Sequence, residues 1–217
     1  MRPVPGGAFS FRTPEQTGKV SLVWEERFAS TADYVFGKAP ARFLVEHEDW
    51  LKPGQTALSV ADGEGRNSVF MAEKGMIVTA LEFAPSALRK ARTLATERGV
   101  SVDFRQFDVL AQDFDGEYDL VAGFFIQFVG PVERGKLFAK MRGATKPGGI
   151  VMLHGYTPEQ VAHGTGGPPH VANMYTEKTL RESFPGWDVL EVSEYEREAQ
   201  SGKGIAAYID FIARKPA

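Results

Sequence analysis

"LSVADGEGRNSVFMAEKG", Leu58 to Gly75, decides the fold of this chain. An apolar run breaks on Asp62-Gly63-Glu64-Gly65 and gives way to residues with helical apolar spacing. Strand, glycine turn and helix in that order form the opening unit of an open α/β sheet, and ligands lie on such a turn because glycine lacks a Cβ.

The pattern continues outward from this stretch. "TALSVA" (Thr56 to Ala61), "MIVTALE" (Met76 to Glu82) and "VSVDFRQF" (Val100 to Phe107) read as strands, with "RNSVFMAEKG" and "PSALRKARTLATERG" as the helices between them. That alternation implies parallel strands joined by crossover helices, and near-continuous apolar runs imply strands covered on both faces. Gly75 and Gly99 stand where helices close in a left-handed conformation, and Pro85 stands where one opens. "YDLVAGFF" (Tyr118 to Phe125) and "GGIVMLHGY" (Gly148 to Tyr156) predict a fourth and a fifth strand, with "KPGG" as the turn before the fifth. After a loop and a short helix in "TEKTLRESF", the runs "WDVLEVSEY" and "GIAAYIDFIARK" predict a hairpin. The expected architecture is a doubly wound, Rossmann-like, mostly parallel α/β sheet with a C-terminal antiparallel hairpin. It forms one domain over residues 21–217, with an N-terminal cap at about 21–50. Residues 1–20, with proline and glycine and no apolar period, read as a flexible leader.

Composition narrows the function classes. The 217 residues include no cysteine, which excludes disulfides, thiolate metal sites and cysteine nucleophiles. A formal net charge of −3 argues against a nucleic-acid partner and leaves a small molecule. No stretch approaches the ~18 consecutive apolar residues of a membrane helix, and the N-terminus lacks the apolar segment of a secretory signal, so a cytoplasmic protein is expected. The sequence leaves the oligomeric state open.

The charge on the glycine turn is the most informative local feature. A dinucleotide fingerprint runs G-x-G-x-x-G, whereas this chain reads Gly63-Glu64-Gly65-Arg66-Asn67-Ser68 and lacks the third glycine. Asp62 and Glu64 on the turn would repel a pyrophosphate, by about 1 kcal/mol per charge at ~4 Å even with bulk-water screening. A cationic ligand reverses the sign, and S-adenosylmethionine carries an ammonium and a sulfonium. Glu82 ends the second strand 19 residues after Gly63, close to the ~20 expected of an acid that binds both ribose hydroxyls. Asp108, in "RQFDVL", is placed to accept from an adenine amino group with Val109 and Leu110 flanking the ring. Glu82 also suits a helix start and Asp108 a turn; three acids in register at successive strand ends favour the ligand reading.

These residues resemble the class I S-adenosylmethionine-dependent methyltransferases, and within them the tellurite-resistance and thiopurine methyltransferase-like branch. The resemblance spans about residues 22–215 and rests on "WEERF" (Trp24 to Phe28), "DYVFGKAPARFL" (Asp33 to Leu44), "ADGEGRNSVFMAEKG", "TKPGG" (Thr145 to Gly149), and "TGGPP" before a helix ending in "LRESFP". It implies that Asp62, Gly63 and Gly65 line the methionine moiety, Glu82 the ribose, Asp108 with Val109 the adenine, and Phe124 the methyl group. It also implies a cofactor cap, for which Trp24, Arg27 and Tyr34 are available. The same aromatic residues suit a staple of the N-terminal segment onto the sheet, and Arg27 suits either the cofactor carboxylate or a surface acid. The chain departs from the commonest pattern in having Glu at position 82 and His154-Gly155-Tyr156 after the fifth strand, which leaves the substrate open.

Methyl transfer is an in-line displacement, so much of its rate comes from holding nucleophile and methyl group in alignment without water. Thiol, selenium or tellurium acceptors need no protein base, whereas an alcohol or amine needs one, for which His154, Tyr156 and His163 are candidates. The loop "VAHGTGGPPHVANMY", Val161 to Tyr175, reads as a lid. His163 and His170 read as solvated loop residues, since no carboxylate or cysteine stands at ligand spacing beside them, and no metal is expected. Phe124, Phe125 and Phe128 line either an apolar substrate pocket or the core. A nicotinamide-dependent oxidoreductase and a non-catalytic S-adenosylmethionine-binding protein are the alternative functions.

Overall fold

The computed structural model describes residues 14–217. A seven-stranded sheet has the order β3-β2-β1-β4-β5-β7-β6. The strands are β1 (Thr56–Val60), β2 (Ile77–Glu82), β3 (Asp103–Gln106), β4 (Tyr118–Phe124), β5 (Thr145–Tyr156), β6 (Asp188–Glu198) and β7 (Ile205–Arg214). All pairs from β3 to β5 are parallel, while β7 runs antiparallel to both neighbours. This is the expected Rossmann-like architecture, with β7 inserted between β5 and the edge strand β6.

The helices are α1 (Pro14–Ala29), α2 (Arg42–Glu46), α3 (Arg66–Glu73), α4 (Pro85–Arg98), α5 (Pro131–Gly143), α6 (Gln160–His163) and α7 (Glu177–Ser183). Side chains alternate between the two faces of the sheet, and each face carries its own core. Leu58, Val121, Val151, Leu153, Ile209 and Phe211 pack with Phe138 and Met141 of α5 and Leu180 of α7. On the other face Ala57, Leu120, Ala122, Met152 and Ile212 pack with Phe43 and Leu44 of α2 and Met71 of α3. Among the described residues no helix is long and apolar enough to cross a membrane.

Three boundaries differ from the sequence reading. Of the expected leader, residues 1–13 lie outside the described residues, and residues 14–20 form the start of α1. The third strand shrinks to four mostly exposed residues at the sheet edge, because only β2 pairs with it. "KPGG" lies inside β5, where the β4–β5 register shifts between Tyr118 and Leu120 and Gly148 takes φ +74°.

Candidate active site

The carboxyl ends of β1, β2, β4 and β5 open on one side of the sheet, with α1 lying across them. After β1 the backbone turns through Ala61, Gly63 and Gly65 at φ +51°, +67° and +87°. Gly65 has no room for a side chain, since a Cβ there would stand 2.8 Å from the Ala91 Cβ on α4. The turn holds Asp62 by three bonds: its N–H donates to the Leu81 carbonyl, and its carboxylate accepts from Ser59 Oγ at 2.6 Å and Ser68 Oγ at 2.5 Å. Burial nonetheless pushes the Asp62 pKa up. Glu82 is buried, accepts from the Gly63 N–H and the Ala84 N–H at 2.8 Å each, and is likewise pushed up by burial. One Glu82 bond thus ties the end of β2 to the turn after β1.

Glu64 corrects the charge argument drawn from sequence. Its carboxylate is buried and already neutralised, paired with Lys90 Nζ at 2.8 Å and accepting from the Phe36 N–H. The surplus negative charge near the turn therefore rests on Asp62 and Glu82, neither of which forms an ion pair among the described residues, although Arg66 lies within electrostatic range of Asp62.

The cap is an aromatic cluster. Trp24 and Phe28 stack at 5.7 Å, Phe36 meets both at 6.2 Å, and the Arg27 guanidinium lies over the Trp24 and Phe36 rings at 5.1 and 5.0 Å. Phe28 lies against the turn, its Cζ 3.6 Å from where a Gly63 Cβ would be. Lys90 ties this segment down by donating to the Phe28 and Asp33 carbonyls as well as to Glu64. Glu25 accepts from the Ser86 N–H and hydroxyl, so α1 closes the first turn of α4. Tyr34 is not brought to the cleft: its hydroxyl donates to the Lys90 carbonyl and its ring packs with Val69, Leu94 and Ala95, which makes it the staple between cap and α4.

After β3, Asp108 Oδ1 accepts from the Leu110 and Ala111 N–H groups and forms a turn, while Oδ2 has no hydrogen-bond partner among the described residues. Val109 is buried in the core and Leu110 is half-buried. Phe124, the last residue of β4, meets Phe43 at 6.1 Å. Phe125 follows at φ +59°, its N–H donating to the His154 carbonyl. Left-handed backbone at two side-chain-bearing residues, Ala61 and Phe125, marks stored strain of the kind found at functional sites.

His154 and Tyr156 end β5 on the same sheet face as Phe124. His154 Nδ1 lies 2.6 Å from Asp210 Oδ1 of β7, and the two residues are 5% and 3% exposed. The imidazole stacks on Phe43 at 5.3 Å and Tyr208 at 5.2 Å and meets the Phe125 ring edge-on at 4.7 Å. Tyr156 stacks on Tyr208 at 5.4 Å, and burial raises its pKa to about 12. Arg66, the first residue of α3, is half-buried; it lies within electrostatic range of Asp62, Tyr156 and Tyr208, and desolvation lowers its pKa. The sequence reading missed Asp210, Tyr208 and Arg66 as members of this cluster.

His163 is not part of it. The structure puts His163 at the end of α6, where Nε2 pairs with Glu196 of β6 at 2.9 Å. The loop expected as a lid is fastened at both ends: Gln160 donates to Thr165 and Gly166 and accepts from the Ala207 N–H, while Arg134 donates to the Ala172 and Met174 carbonyls. Gln127 clamps the end of β5 by bonding both the N–H and the carbonyl of Tyr156.

Residues 57–149 match a family model described as a methyltransferase domain. The chain is 34% identical over 131 residues to a demethylmenaquinone methyltransferase of Renibacterium salmoninarum, covering 59% of this chain and 50% of that protein. It is 37% identical over 70 residues to a ubiquinone biosynthesis O-methyltransferase of Pseudomonas paraeruginosa, covering 31% of this chain and 30% of that one. The chain thus spans half the length or less of these two relatives. Among solved structures, the N-methyltransferase NodS of Bradyrhizobium japonicum superposes with a TM-score of 0.70 at 14% identity, covering 91% of this chain and 99% of that one. TehB of Haemophilus influenzae superposes with a TM-score of 0.69 at 18% identity, covering 88% and 67%. The described chain has the Rossmann-like fold of these structures, and its first four strands with the start of β5 carry the similarity to a methyltransferase domain.

Proposed function

We propose that the chain is an S-adenosylmethionine-dependent methyltransferase acting on a small-molecule acceptor. The observation that carries this reading is the pair of carboxylates, half-buried Asp62 and buried Glu82, joined through the Gly63 backbone and without an ion-pair partner among the described residues. Such groups are stabilised by a ligand that brings positive charge and hydroxyl donors. The residues fit that ligand. Each Glu82 oxygen accepts one backbone N–H and retains a lone pair, as two vicinal hydroxyls require, and Asp108 retains Oδ2 for an amino group.

In this reading Asp62, Gly63 and Gly65 hold the amino-acid end, Glu82 the ribose, Asp108 and Val109 the adenine, and Phe124 borders the methyl group. Trp24 and Arg27 cover the cleft. When bound, the cofactor supplies a methyl group on positively charged sulfur. The chain's own contribution is to align the acceptor and keep water away.

The names of the relatives point to quinone-pathway acceptors, and the branch resemblance to thiol, selenium or tellurium species. Both classes belong in a turnover screen for S-adenosylhomocysteine. The reading itself is tested by calorimetry with S-adenosylmethionine, S-adenosylhomocysteine and NADH. The two adenosyl compounds bind and NADH does not; binding of NADH alone overturns it. Glu82→Ala weakens S-adenosylhomocysteine binding at least tenfold, since hydrogen bonds to a charged group contribute about 1.5–3 kcal/mol each. An unchanged Kd removes the ribose assignment.

A further inference from the structure

The His154–Asp210 pair has no task in cofactor binding as assigned above. Burying a paired histidine and carboxylate is weak as a stability device, because desolvation offsets most of the attraction. The geometry suits proton transfer instead. Asp210 occupies Nδ1, which fixes the ring and leaves Nε2 as the working nitrogen. Nε2 has no hydrogen-bond partner among the described residues, and it is not fully enclosed, since the only fully enclosed unpartnered side-chain polar atom among them is the Tyr175 hydroxyl. His154 pairs in register with Phe124, one strand spacing of ~4.8 Å from the residue placed at the methyl group. The walls around it are the flat rings of Phe43, Phe125 and Tyr208, with the Tyr156 ring packed on the last two.

We propose that His154 is the general base of this site, held by Asp210 as its positioning residue, and that the acceptor is a hydroxyl on a planar aromatic ring. This rests on the methyl-transfer reading above. The acceptor O–H proton passes to Nε2 while Nδ1–H donates to Asp210. The oxygen lone pair forms the new O–CH3 bond, the S–CH3 bond breaks, and its electron pair stays on sulfur in neutral S-adenosylhomocysteine. The imidazolium then releases its proton to water. Tyr208 on β7 and Tyr195 and Arg197 on β6 lie against the pair, and the charged and titratable groups around the rings that pack on it are Tyr156 on β5, Arg66 on α3, Arg27 on α1, and Arg42, Glu46 and His47 in and after α2. Burial raises all three tyrosines, so they stay neutral where a histidine titrates. Arg66 favours negative charge developing on the acceptor oxygen.

The test uses 4-nitrocatechol, whose ionised form absorbs in the visible, bound to the full chain with S-adenosylhomocysteine. The wild type ionises the bound probe at a pH about one unit below that of the free probe. His154→Gln and His154→Asn abolish the shift and Asp210→Asn reduces it, while the Kd for S-adenosylhomocysteine stays within threefold in all. With unsubstituted catechol as acceptor, whose hydroxyl stays protonated at neutral pH, His154→Gln lowers kcat at least a hundredfold with little change in KM, as loss of a base should. The proposal is overturned by an equal shift in wild type and both His154 variants, by no shift in the wild type, or by loss of S-adenosylhomocysteine binding in both His154 variants. Failure of the wild type to bind S-adenosylhomocysteine removes the methyltransferase reading and this proposal together.

Discussion

At the scale of single residues, Gly65 and Gly99 separate two meanings of a glycine. Both take positive φ, but a Cβ at Gly65 meets Ala91 whereas one at Gly99 meets nothing within 4 Å. Gly99→Ala costs only the left-handed penalty of about 1–2 kcal/mol. Gly65→Ala adds about 1–3 kcal/mol of overpacking between turn and helix. Urea denaturation of the two variants should therefore rank Gly65→Ala as the more damaging. Both glycines were visible in the sequence because each follows or precedes a periodic segment. Asp210 was not, since it lies inside the apolar run "AAYIDFIAR" with no motif around it. A lone carboxylate in a buried strand needs a partner, and that requirement was the signal available. Ala61 and Phe125 gave none, because sequence leads one to expect glycine at positive φ. Tyr34 was placed by its neighbourhood in the chain, whereas its hydroxyl follows α4.

At the scale of elements, the crossovers were legible from alternating periodicity, and the cap was legible only as an extent. How the cap is held depends on Lys90, which sits on α4 far along the chain from the carbonyls it binds. Lys90→Met leaves the Glu64 carboxylate buried without its cation, a loss of about 3–5 kcal/mol. The double variant with Glu64→Gln recovers part of that loss, and a urea double-mutant cycle measures the coupling. The edge position of β3 was not readable either, because a run of strand-forming residues does not say how many neighbours it will have.

The whole molecule is fastened at the end of the sheet opposite the cleft. Asp119 of β4 accepts from the Thr56 N–H and hydroxyl of β1 and from Lys146 Nζ of β5, which joins the amino ends of three strands. Burial alone would raise the Asp119 pKa, but Lys146 and Thr56 hold it at about 2. A carboxylate with a depressed folded pKa contributes stability that is present above its ordinary pKa near 4 and lost as pH falls toward 2. Urea midpoints should therefore decline over pH 4 to 2, and Asp119→Asn should be less stable at neutral pH with a flatter decline. Strand order at this scale followed from the sequence for the parallel part, while the insertion of β7 ahead of β6 needed the structure.

That insertion leaves β6, eleven residues long, as the outer rim of the sheet. A rim of that length offers a row of backbone groups to any other strand, which is how native sheets begin to aggregate. Here the rim carries Glu191, Glu194, Glu196 and Glu198 and a register shift near Leu190. Two copies meeting through this border would bring like charges together along a kinked line, so what reads as an ordinary acidic stretch also guards the protein against polymerising through its own sheet.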